Sequence, residues 1–257
     1  MRTAGRILRL RPPLAAFVAT RAAPTMVAME HGRAISFPRP DGQDAPGVLF
    51  SAADGAPGVV LIQEWWGIND QIRRVGQRLA DAGYRVLIPD LYRGRATAVA
   101  DEAKHLMTGL DFGEALSDIA GALTCLKGQD PSTRVGIVGF CLGGALTLAS
   151  LCNVPGFAAG VCYYGIPGAS ADASKLLAPL QAHFAEFDDW CTPDAVRALE
   201  DELRAGTTEY ELYRYSAQHA FFNDARPEVY DPVAAAESWR RSLDFFHRHL
   251  GGPQPAV

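Results

Sequence analysis

The chain reads as an α/β protein, a mostly parallel β-sheet with helices on both faces. Three observations point there. Short apolar runs recur between residues 58 and 215, and segments with helical apolar spacing lie between them. Most of these runs are continuous rather than alternating, as expected of strands buried on both faces. Finally, Arg134–Val138 leads into the helix-like Ala145–Leu151 through Gly139-Phe140-Cys141-Leu142-Gly143-Gly144, which leaves room only for a tight turn.

The elements follow in order. Gly58–Glu64 is an apolar run between Pro57 and Gly67, a buried strand. Asp70–Ala82 carries Ile72, Val75, Leu79 and Ala82 at helical spacing, with Gly83 as the stop. Tyr84–Pro89 is the next strand, and two helices fit between Ala98 and Lys127. The Arg134–Val138 strand and its helix come next, then strands at Phe157–Tyr163 and Leu180–Ala185. Thr192-Pro193 pairs an N-cap residue with proline at the first helical position and opens a helix. Glu209–Tyr215 is the last strand. Asp231-Pro232 repeats the cap-and-proline signal before a helix running to about Leu250, and Gly251–Val257 reads as a frayed tail.

Length and composition fit one domain at residues 30–257. The 48% apolar content supports a substantial core, and neither an internal repeat nor a long linker interrupts it. Residues 1–29 differ: they hold five arginines (Arg2, Arg6, Arg9, Arg11, Arg21) and no acidic residue. They read as an organelle transit peptide or extension, which implies a mitochondrial or other matrix location, or as sequence upstream of a true start at Met26 or Met29, which implies the cytoplasm. Five of the 24 basic residues fall there, so the remaining 19 face 29 acidic ones, a net of −10. A domain that acidic is a poor nucleic-acid binder. No apolar run reaches 18 residues, so no membrane span is expected. Five cysteines without regular spacing argue for free thiols in a reducing compartment, and no Cys/His spacing suggests a metal.

The turn at residues 139–144 has the form G-x-C-x-G-G, the nucleophile elbow of the α/β-hydrolases with cysteine where serine is usual. A strand that turns directly into a helix strains the apex residue, and Gly139 and Gly143 leave room for the turn. Cys141 would then face the N-terminus of the following helix, whose free N–H groups favour a thiolate and an oxyanion. Cys125, Cys152, Cys162 and Cys191 lack this setting and read as structural, Cys191 least securely because it lies near another motif.

In open parallel sheets ligands bind beyond the carboxyl ends of the strands. Glu64, Asp90, Cys141, the pair Asp188 and Asp189, and His219 all follow strands. Asp90 reads as a loop anchor. His183 lies within a strand and reads as packed core or a loop anchor. The order nucleophile, acid, histidine is that of α/β-hydrolase triads.

These residues resemble the dienelactone hydrolases (carboxymethylenebutenolidases). The resemblance spans about residues 45–250 and rests on Gln63-Glu64-x-Trp66-Gly67, Pro89-Asp90-Leu91-Tyr92, the Cys141 elbow, His183–Asp188 and His219-Ala220-Phe221. It implies an α/β-hydrolase fold and a triad of Cys141, His219 and Asp188, with Glu64 as an extra carboxylate. In the family the thiol is held quiet until substrate binding lets that carboxylate help form the thiolate. The resemblance also implies an oxyanion hole from the Leu142 and Trp65 N–H groups, and a thioester intermediate. For the triad acid, the small residue Ala185 three positions earlier favours Asp188, whereas the spacing to Pro193 favours Asp189; Asp188 is taken.

Family members acting on dienelactone grip its carboxylate with arginines. Here Arg93 and Arg95 flank one such position, and Asn223 occupies the other, with Arg226 further on. Tyr92 and Phe221, with Trp65, Trp66 and Phe222, are candidate pocket walls. The expectation is a monomeric, cofactor-free and metal-free hydrolase of small-molecule lactones or activated esters. Its rivals are a non-catalytic small-molecule binder and a redox-responsive thiol protein.

Overall fold

In chain order the elements are β1 (Arg33–Pro38), β2 (Asp44–Phe50), β3 (Gly58–Ile62), α1 (Asp70–Asp81), β4 (Arg85–Pro89), α2 (Ala100–Thr108) and α3 (Phe112–Lys127). They continue with β5 (Val135–Phe140), α4 (Leu142–Asn153), β6 (Ala159–Tyr163), β7 (Leu180–Phe187), α5 (Pro193–Ala205), β8 (Tyr210–Gln218) and α6 (Pro232–Leu250). This computed structural model describes residues 32–252 other than residues 54, 129, 131, 169 and 170. The leader expected at residues 1–29 and the end of the tail lie outside the described residues.

The strands form one sheet in the order β1-β2-β4-β3-β5-β6-β7-β8. From β4 to β8 every neighbouring pair is parallel. β2 pairs antiparallel with both β1 and β4. The sequence expectation started the sheet at Gly58 and missed β1 and β2. Pro38, Pro46 and Gly47 interrupt their apolar pattern, and β1 is an edge strand with mostly exposed side chains, where such residues are tolerated.

Successive side chains of the central strands enter opposite cores. Val60 and Ile62 join Ile119, Leu146 and Leu199 beneath α3, α4 and α5. Val59 and Leu61 join Ile72, Val75, Phe245 and Phe246 beneath α1 and α6. Each such side chain, fully buried, contributes about 1.5–3 kcal/mol relative to exposure. The expected caps form. Thr192 accepts from the Ala195 N–H at 3.3 Å, and Asp231 accepts from the Val233 and Ala234 N–H groups at 3.0 and 2.9 Å. Asp90 anchors its loop by accepting from the Tyr92 and Gly94 N–H groups at 3.2 and 2.6 Å. His183 is fully buried, with Nδ1 2.9 Å from the Tyr215 hydroxyl and Nε2 2.9 Å from Gln181 Oε1. Burial, aided by the charge of Arg241, drives its pKa down to about 3, so it is a neutral strut of the core.

The turn from β5 to α4 sets the geometry of the sheet's carboxyl edge. Cys141 is the N-cap of α4 at φ 55°, ψ −113°, a region costing a non-glycine residue about 1–3 kcal/mol. Its backbone is fully engaged: the N–H donates to Tyr163 O at 3.0 Å, and the carbonyl accepts from the Ala145 N–H at 3.0 Å. A Cβ at Gly139 would lie 2.0 Å from Gly143 O, and one at Gly143 would lie 2.6 Å from the carbonyl oxygens of Ile62 and Gln63. Backbone meets backbone at both places, so a side chain has nowhere to move. Gly139→Ala is therefore expected to lower unfolding free energy by about 3 kcal/mol in urea titration. A loss below about 1 kcal/mol would show that the turn tolerates the methyl group.

Candidate active site

Parallel pairing brings the ends of β3, β5, β6, β7 and β8 side by side, and each delivers a functional group. Cys141 stands on the elbow after β5. His219 follows β8, with Nε2 3.3 Å from Cys141 Sγ and Nδ1 2.7 Å from Asp188 Oδ2. A register shift in the β7–β8 pairing between Ala185 and Phe187 precedes Asp188, an irregularity of the kind that re-aims a chain end. The other Asp188 oxygen accepts from the Trp190 and Cys191 N–H groups at 2.7 and 2.8 Å. Asp188, not Asp189, is thus the carboxylate facing the imidazole.

Burial alone would raise the Asp188 pKa, but the hydrogen bond and charge of His219, with the two N–H donors, outweigh it and hold the carboxyl below its usual value. Glu64 and Cys141 shift the other way. Burial pushes both up. For Glu64, donors and positive charges offset this only in part, and for Cys141 the Glu64 carboxylate adds to it. The Leu142 N–H at the start of α4 favours the thiolate but does not prevail, so the resting sulfur is a thiol.

Both Glu64 oxygens are held by neutral donors. Asn223 Nδ2 donates to Oε2 at 2.8 Å, and the Tyr164 hydroxyl donates to Oε1 at 3.2 Å. Asn223 Oδ1 accepts from the Ala225 N–H at 3.0 Å, which fixes the amide orientation. Trp65 opens the turn after Glu64, in which the Gly67 N–H returns to Glu64 O at 3.3 Å. Beside Asn223 opens a cleft of about 600 Å³ lined by Trp66, Asn69, Thr97, Arg226 and Glu228. The Arg226 guanidinium lies 5.9 Å from the Trp66 ring centre, and its Nε donates to Glu228 at 2.8 Å. Its charge reaches both Glu64 and Cys141.

The dienelactone hydrolase family model matches residues 46–250, most of the chain. "Protein usf" of Aquifex pyrophilus is 30% identical over 233 residues, which cover 85% of this chain and 99% of that protein. A solved dienelactone hydrolase-like promiscuous phosphotriesterase from metagenomic libraries is 25% identical, covers 85% of this chain and 99% of its own, and superposes with a TM-score of 0.73. An esterase of Thermogutta terrifontis, solved phosphorylated by paraoxon, shares the fold at 17% identity and a TM-score of 0.66, covering 89% of this chain and 98% of its own. The chain belongs to the dienelactone hydrolase family.

Two expected substrate contacts of this dienelactone hydrolase relative take other roles. Arg93 donates to both Asp118 oxygens at 2.6 and 3.0 Å and to Asp90 O at 2.8 Å. Asp118 also pairs with the buried Arg39, so Arg93 ties its loop to α3. Phe221 is fully buried against Tyr164 and Tyr215, with ring centres at 5.4 and 5.1 Å, and is core rather than pocket wall. Arg95 is exposed, and Tyr92 is buried with a hydroxyl that has no hydrogen-bond partner among the described residues. Burial raises the pKa of that phenol, and the charge of Arg95 works the other way.

Tyr164 and Trp190 were not anticipated. Tyr164 directly follows β6, so the strand-end criterion could have found it. Trp190 has no such signal in the sequence. Cys191 is buried beside Asp188 and His219, and these three residues each offer a ligand atom within 4.8 Å of the others, an arrangement a metal ion could use. The Asp188–His219 hydrogen bond already occupies one atom of each residue.

The raised Glu64 pKa carries a stability consequence. Between its ordinary value of 4.5 and its higher folded value, the native state keeps a proton that the unfolded chain has released. This group therefore lowers stability as pH rises through that window. Glu64→Gln removes the titration, so its melting temperature relative to wild type should improve with pH above about 4.5 and lose that gain in acid. A difference independent of pH would contradict the raised value.

Proposed function

We propose that the chain hydrolyses lactones or activated small carboxylic esters through a Cys141 thioester, acting as a monomer without metal or cofactor. The observation that supports this most strongly is the continuous contact from Cys141 Sγ through both nitrogens of His219 to Asp188, at 3.3 and 2.7 Å, on a strained elbow. His219 Nε2 takes the thiol proton as the sulfur attacks the carbonyl carbon, and Asp188 stabilises the imidazolium. The Leu142 and Trp65 N–H groups receive the oxyanion. Collapse of the tetrahedral species breaks the carbon–oxygen bond, and the leaving oxygen takes the proton from His219. Water, activated by the neutral imidazole, then attacks the thioester and releases the acid and the thiol.

Glu64 completes the reading. A thiol whose pKa is raised by burial and by a nearby carboxylate is idle at rest. When substrate displaces water and the Glu64 contacts rearrange, that carboxylate takes part in forming the thiolate. A thiolate suits good leaving groups such as enols and phenols, because from an alkyl ester the tetrahedral species expels the sulfur instead. Asn223 supplies no charge for a substrate carboxylate, which leaves Arg226 and Arg95 for that role.

The test is a panel of dienelactone, an aryl acetate and a saturated γ-lactone with the full chain and Cys141→Ala. Wild type should turn over the first two faster than the third. Cys141→Ala should lose at least about 10³-fold in kcat with its melting temperature retained. Absence of Cys141-dependent turnover for every member would overturn the proposal.

A further inference from the structure

Trp190 is 61% exposed, an unusual state for the largest apolar side chain. It is nonetheless held in place. Its N–H donates to Asp188 Oδ1 at 2.7 Å, the next N–H does the same at 2.8 Å, and Thr192 caps α5 just beyond. Its indole lies 5.9 Å from the Trp65 ring, at 67°, and 6.4 Å from the His219 ring, at 38°. Trp65 in turn meets Trp66 edge-on at 5.0 Å. Three of the four tryptophans of the chain thus form one track past the imidazole, from the exposed Trp190 to the cleft that Trp66 and Arg226 line.

We infer that Trp190 and Trp65 form a subsite for a flat apolar leaving group of the substrate. This rests on the hydrolase reading above, because the chemistry decides which part of the substrate lies there. The imidazole returns its proton to the departing oxygen, so that oxygen stands at His219 Nε2. The group it carries emerges on the imidazole side, beside Trp190. The acyl part occupies the cleft beside Glu64, Asn223 and Arg226. A planar ring on the Trp190–Trp65 shelf would remove exposed apolar surface from water and gain aromatic contact, in a loop whose backbone is already ordered.

The experiment compares benzyl with methyl difluoroacetate. Both carry the same activated acyl group on alcohols of similar acidity, so their ratio of kcat/KM reads binding of the leaving group. Wild type should favour the benzyl ester by about tenfold or more, equivalent to ~1.4 kcal/mol. Trp190→Ala should bring the ratio to about one, chiefly through KM for the benzyl ester, and Trp190→Phe should restore most of it. The backbone N–H to Asp188 survives in both variants, so a purely structural role would move both esters together and leave the ratio unchanged. Leu177→Ala, at a site 56% exposed just before the opposite end of β7, should not alter the ratio. An unchanged ratio in Trp190→Ala overturns the inference. If wild type hydrolyses neither ester, as a poor alkoxide leaving group allows, the aryl acetate above decides the hydrolase reading, and the shelf is tested by equilibrium dialysis of 2-naphthol. About tenfold weaker binding to Cys141→Ser/Trp190→Ala than to Cys141→Ser would uphold it, and equal binding would overturn it.

Discussion

Cys141 is held at φ 55° between β5 and α4 by the approach of the Gly139 and Gly143 backbones to each other and to β3. That contact joins three requirements. It turns the chain from strand to helix without a loop, it aligns α4 behind the sulfur, and it sets the elbow against the strand that ends at Glu64. The cost of the strained residue is spread over a large core, because α4 is buried along nearly its whole length between the sheet and its neighbours. The remaining site residues are positioned relative to this one. The parallel order β3-β5-β6-β7-β8 then leaves Glu64, Tyr164, Asp188 and His219 at adjoining strand ends.

Three acidic groups share this small volume, and their surroundings separate them. Asp188 has the His219 imidazole in hydrogen-bonding reach and two backbone donors, which hold its pKa low. Glu64 has neutral donors in Asn223 and Tyr164, and burial raises it. Cys141 is raised by burial and by Glu64 together. The site therefore rests with its sulfur protonated.

Much of the fold was legible because its signals are local. The continuous apolar strands, Thr192-Pro193, Asp231-Pro232 and the elbow glycines each reflect chemistry within a few residues. The two missed strands, β1 and β2, lie toward an open edge, where the apolar pattern is broken by proline and glycine. The strand-end criterion found Glu64, Asp188, Cys141 and His219 because topology alone brings strand ends together. The carboxylate clamp expected from the resemblance and the expected aromatic wall fared otherwise at Arg93 and Phe221, whose fates depend on partners far along the chain. Asp118 on α3 claims the guanidinium, and Tyr164 and Tyr215 enclose the ring.

The amino-acid order by itself determined the sheet-and-helix alternation and the sharp turn at Cys141, since each is encoded by neighbours in the chain, and it put Cys141, Asp188 and His219 after strands, in that order. Tertiary structure decided which of two adjacent aspartates meets the imidazole, that Glu64 is held by an amide and a phenol, and that Trp190 stands beside His219. These outcomes turn on differences of a few ångströms between segments separated by tens to more than a hundred residues. Such distances are set by how β7 and β8 pair and how the helices pack, which no local pattern contains.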